Sequence, residues 1–260
     1  MSSGARVFLY LELLLAISCG AASLKLFATG LFRRYRSLSA YLVFYFLYTI
    51  GLLIVGDVRS PLYMKYWVIS EPLLWLFYVL TILELYSLVL EKHPGLYTLG
   101  KWFLYTGLFV SILISGLTLL PHLEFGRIQR SAILSYFYPI ERGLDFSLLV
   151  FLLFILILLT RYPVPLSRNV VIHSITYSVF FFSNALAMFA RVVFGLALSR
   201  TVSTFALGVS TVCSMIWFFL LTPGGEHALV RIPWIGPQHE GQILSHLDSL
   251  NAAMLKISRK

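Results

Sequence analysis

The chain has 260 residues, 59% of them hydrophobic and 12% charged, with a mean hydropathy of +0.86. A soluble domain carries about 25% charged residues, so this composition excludes a water-soluble globular core and points to a helical membrane protein. The net charge of +9 is not arranged as a basic stripe interleaved with exposed aromatics, which argues against a nucleic-acid surface. It reads instead as the Lys and Arg excess that holds loops on the cytoplasmic side.

A helix needs about 20 apolar residues to cross the hydrocarbon core. Taken in chain order, the stretches that qualify are Val7–Phe27, Ser39–Gly56, Tyr66–Leu90, Trp102–Leu120, Ser135–Thr160, Val170–Ser199 and Thr201–Thr222. Arg33, Arg34 and Arg36 close the first, and Asp57, Arg59, Pro61 and Lys65 follow the second. Pro94-Gly95, Pro121-His122, Pro163 with Pro165, and Pro223-Gly224-Gly225 end later spans. Only Arg200 separates the last two, which implies a very tight hairpin. Glu12 interrupts the first apolar stretch, and more positive charge follows that stretch than precedes it, so the segment is expected to be a span rather than a cleaved signal.

Arg33, Arg34, Arg36, Lys92, Lys101, Arg161, Arg168 and the basic residues of the tail fall on one side. Arg6, Arg59, Lys65, Arg127, Arg130 and Arg200 fall on the other. The bias is about two to one and puts the amino terminus outside and the carboxyl terminus in the cytoplasm. The expected fold is therefore all-α: a seven-transmembrane-helix bundle over residues 1–225 in the plasma or inner membrane, with a cytoplasmic tail over residues 226–260. In that tail Ile243, Leu247, Leu250, Met254 and Ile257 recur at helical spacing and end in basic residues. That pattern predicts a short amphipathic helix, fit to lie on the membrane, to dock under the bundle or, through residues 238–258, to grip a cytoplasmic protein.

Lipid gives apolar helices no hydrophobic reason to associate, so small residues must let them approach. Gly107, Ser111 and Ser115 supply such a face on the fourth span, and Ala206, Ser210 and Ser214 supply one on the seventh. Counting 1.5 Å per residue from the flanking basic residues puts Glu12, Glu71, Glu141, Arg142, Asp145 and Arg191 in the outer half. They come from four spans. Ionised groups facing lipid are costly, so they should turn inward and meet. Four acids against two arginines leave an acidic excess, which invites a bound proton, a small cationic ligand or penetrating water. The bland alternative is an ion-pair network aligning the helices. Glu84 and His173 lie nearer the cytoplasmic end and read as interfacial groups reaching for the headgroups.

Other chemistries lack their residues. The last span has no lysine for a retinal Schiff base, and His173 is the sole histidine within a span, too few for haem held between helices. Neither a metal-ligand set nor a nucleophile–base pair, GxxxxGK[ST] or GxGxxG occurs, so no catalytic residue, metal or cofactor is expected. The topology matches that of G-protein-coupled receptors, yet the third span ends LYSLVLEK and the seventh ends WFFLLTPGG, without their signature triplet or Asn-Pro-x-x-Tyr. The leading expectation is a sensor or receptor-like module with an outer polar pocket and a coupling tail. The runner-up is a small proton- or cation-coupled transporter; an intramembrane enzyme and a structural subunit follow.

Overall fold

The structure, a computed structural model, describes residues 3–55, 60–90, 98, 101–102, 104–107, 109–110, 140–141, 143–153, 155, 166–194, 199–230, 245 and 249. The main elements are α1 (Ser3–Ala28), a 3-10 turn (Leu31–Arg33), α2 (Arg36–Val55), α3 (Pro61–Val89), a two-residue strand β1 (Leu166–Ser167), α4 (Arg168–Phe194), α5 (Ser199–Leu220), α6 (Pro223–His227) and β2 (Leu229–Val230). Among the described residues, five helices are long and apolar enough to cross a membrane: Arg6–Ala28, Arg36–Val55, Pro61–Val89, Arg168–Ala187 and Thr201–Leu220. They correspond to the first, second, third, sixth and seventh expected spans. Much of the fourth and fifth spans and most of the amphipathic tail lie outside the described residues, as do Ser111 and Ser115.

Local chemistry moves some boundaries. α3 begins at Pro61, about a turn before the expected start, because proline fits the first helical position and the Ser60 hydroxyl accepts the Leu62 N–H at 3.2 Å. Charged Lys65 therefore sits inside the helix rather than before it. Arg200 likewise belongs to the first turn of α5 and is not a lone linker between helices. Two residues past the end of α1, Gly30 precedes the 3-10 turn with a φ of 73°, a left-handed conformation that favours glycine.

The chain divides into two compact units, Met1–Leu85 with Pro165–Val230, and Tyr86–Val164 with Arg231–Lys260. In the first, α1 packs on α2 and α5, and α5 packs on α4. Phe44–Phe77 (5.1 Å between ring centroids) and Tyr41–Tyr78 (5.5 Å) join α2 to α3. Tyr78 then meets Phe180 and Phe181 of α4 at 5.6 and 5.3 Å, so the five helices close a ring. The small face foreseen on the last span works here: buried Ala206 and Ser214 lie on α5, and the Ser214 hydroxyl hydrogen-bonds that of Ser18 on α1. Large apolar side chains such as Ile17, Leu24, Ile54, Ile69, Phe182 and Phe219 point outward, the arrangement that hydrocarbon solvates without cost. The second unit includes the apolar helix Gly143–Leu153, with Leu148 and Leu152 fully buried and Phe151 packed on Tyr86 at 5.2 Å.

Candidate functional site

At the end of the ring where α1 stops and α2 and α4 start, one carboxylate organises three chain segments. Thr222 caps α6 by accepting the Gly225 N–H on its hydroxyl at 3.2 Å, with Pro223 in the first helical position. That short helix carries Glu226 into a pocket of donors. The Tyr35 hydroxyl donates to Glu226 Oε1 at 2.5 Å and the Asn169 amide donates to the same oxygen at 2.8 Å. Arg34 Nε stands 2.9 Å from Oε2, an ion pair by distance. Asn169, fully buried, also donates to the Thr222 carbonyl at 2.7 Å and accepts the Thr222 N–H at 3.3 Å. The antiparallel β1–β2 pair and the Arg168 N–H to Ala228 carbonyl bond, 2.8 Å, close the other side. Gly225 is required by this packing, since a Cβ there would run into the Asn169 amide. Burial first, and then the neighbouring Glu226 carboxylate, push the Tyr35 phenol far above the ordinary tyrosine range, so it stays a neutral donor.

Two residues expected to reach for the headgroups do other work. The Glu84 carboxylate of α3 accepts the Ser37 N–H at 3.0 and 2.9 Å and the Leu38 N–H at 3.1 Å. It therefore caps the amino terminus of α2 from a neighbouring helix, satisfying orphan donors and facing the positive end of the helix dipole. His173 is fully buried, with the rings of Tyr35 at 5.8 Å, Tyr177 at 5.2 Å and Trp217 at 5.8 Å around it.

At the opposite end, α1 and α3 each carry one of the expected carboxylates, Glu12 and Glu71. Glu71 accepts the Tyr48 hydroxyl at 3.1 Å, and the Trp67 indole lies within hydrogen-bonding reach. Glu12 and Glu71 both lie within electrostatic range of Tyr45 and Tyr63, and Tyr66 stacks on Tyr48 at 6.0 Å with nearly parallel rings. Among the described residues neither carboxylate has an ion-pair partner. The result is a half-buried acidic pair edged by tyrosines, a combination of negative charge and π-faces suited to a soft cation.

The remaining expected site residues are placed as follows. Asp145 is buried on the helix Gly143–Leu153 and Glu141 is half-buried just before it, both in the second compact unit. Arg191 lies on α4, and its side chain, like all of Arg142, is outside the described residues. Glu12 and Glu71 both lie in the first unit, each within electrostatic range of Tyr45 and Tyr63. Tyr35, Asn169, Thr222 and Glu226 were missed by sequence reasoning. The signal that could have found them is Thr222-Pro223, a cap followed by a proline at the first helical position, with an acid in the next turn.

Fold and sites together define a helical, membrane-spanning class of protein. No family model, no curated protein and no solved structure matches the chain.

Proposed function

We propose that the protein is a receptor-like membrane module of the plasma or inner membrane, of seven spans with the amino terminus outside, whose Glu12–Glu71 end faces outward and takes a small organic cation. The observation that carries the reading is the pair of half-buried carboxylates, without ion-pair partners among the described residues, edged by Tyr45, Tyr48, Tyr63 and Tyr66. Such groups are stabilised by a positive ligand, and the tyrosine faces favour one with a diffuse charge. The tail, through residues 238–258, carries the change to a cytoplasmic protein, with the Glu226 network fastening the chain just upstream of it.

Unfolding of the full chain in detergent, with tetramethylammonium as probe and sodium at equal ionic strength as control, tests the pocket. Selective stabilisation that Glu71→Gln abolishes is the expected result. Equal melting temperatures in both salts would remove the cation site. A second reading, a proton- or cation-coupled transporter, is favoured by Glu12, which has neither hydrogen-bond nor ion-pair partner among the described residues and so is available to exchange a proton. Proton flux in proteoliposomes, lost in Glu12→Gln, would select it over the receptor.

A further inference from the structure

Buried polar atoms in native proteins are almost always hydrogen-bonded, to the chain or to water. The core of the first unit departs from that rule most densely around His173, where the neighbouring Tyr177 hydroxyl is also without a hydrogen-bond partner among the described residues. Both ring nitrogens of His173 and the indole N–H of Trp217 are buried without a hydrogen-bond partner among the described residues. His173 is 0% and Trp217 2% exposed, and their rings are 5.8 Å apart. The Ser39 hydroxyl, one turn along the chain from Tyr35, is a further buried atom in the same condition. A neutral imidazole carries one donor and one acceptor, so His173 and Trp217 present two donors and an acceptor side by side. Aromatic rings occupy the rest of the wall: Tyr35, Tyr41 and Tyr177 contact His173 or Trp217 at 5.2–6.4 Å.

We propose that His173 and Trp217 form a buried site for water, or for a small neutral molecule with water's donor–acceptor pattern, beside the Glu226 network. Tyr35 donates to Glu226 with its hydroxyl and lays its ring against His173 in edge contact, so the same side chain borders both regions. His173 lies five residues into α4, roughly 7.5 Å deeper than its start. A molecule at that depth accepts the indole N–H and hydrogen-bonds one imidazole nitrogen, and a second serves the other nitrogen, which removes a penalty of the kind that makes orphaned polar groups rare.

The test uses the full chain in lipid nanodiscs with 15N-labelled histidine, the His173 signals being assigned by difference from His173→Gln. The expected result is hydrogen-bonded nitrogen shifts together with magnetisation transfer from water protons to the His173 ring. Nitrogen shifts of a non-hydrogen-bonded imidazole, with no transfer from water, overturn the proposal. Stability of His173→Phe gives an independent sign. A dry site would be relieved by losing two unsatisfied nitrogens, and the melting temperature would rise. An occupied site loses its bridge and leaves Trp217 orphaned, so the melting temperature should fall. Trp217→Phe should likewise lower it, and a rise in both variants overturns the proposal.

Discussion

The two ends of the five-helix ring treat their acids in opposite ways. Glu226 is well partnered: Tyr35 and Asn169 donate to Oε1 at 2.5 and 2.8 Å, and Arg34 forms an ion pair with Oε2 at 2.9 Å. Glu12 and Glu71 share one end with several tyrosines, and of their contacts the firm one is a single Tyr48 hydroxyl at 3.1 Å. A carboxylate surrounded by donors holds structure together, whereas one left short of donors and half out of water carries a standing cost. Stability and function tend to separate along that line, because sites poised for a ligand are rarely at their stability optimum. The difference assigns fastening to the Glu226 end and leaves the Glu12–Glu71 end as the place where an external group has most to offer.

The comparison is broken most directly at Glu226. Glu226→Ala strands the Tyr35 hydroxyl, the Asn169 amide and Arg34 at once, and should lower unfolding free energy in detergent by about 3 kcal/mol. A loss within experimental error of zero would show that the network is ornamental. Glu84→Gln keeps an acceptor but removes the charge facing the start of α2. A loss of about 1 kcal/mol is expected, read by the same denaturant titration and by faster amide exchange at Ser37 and Leu38. At the other end the sign should reverse. Glu12→Leu removes a half-buried carboxylate that has no ion pair among the described residues, and should leave stability unchanged or raise it by up to about 1 kcal/mol. Substantial destabilisation there would mean that Glu12 is as fastened as Glu226.

The smallest effect concerns pH. The folded-state pKa of Tyr35 is raised by burial and by Glu226, so its contribution to stability is fully present below the unfolded value of about 10. It is lost as pH rises through the higher folded value. Wild type and Tyr35→Phe should therefore melt with a constant offset from pH 6 to 9, and wild type should lose ground above about pH 10. An offset that already varies near neutrality would contradict a neutral, donating Tyr35.

The chain's helices were legible because their signal is one-dimensional. Apolar length and flanking charge locate a span whatever its neighbours do, and Val7–Phe27, for example, differs from the observed membrane stretch Arg6–Ala28 by a residue at each end. The small-residue face at Ala206, Ser210 and Ser214 was legible for the same reason, since spacing alone puts those residues on one side of a helix. Boundaries shifted where a cap outweighed hydropathy, as at Ser60-Pro61. Of the candidate site, the similar depth of Glu12 and Glu71 could be argued from the sequence, because their distance along the helix from the flanking basic residues is the same.

Sequence by itself thus determined that this is a helical protein fit for a membrane, where five of its apolar helices run, and which charges have to be accommodated. Tertiary structure decided what accommodates them. Nothing in the order of residues says that Glu84 caps a helix 47 positions upstream or that Glu226 reaches Tyr35 across 191. Hydrogen bonds select partners by distance and angle to within a few tenths of an ångström, and only the packed helices fix those.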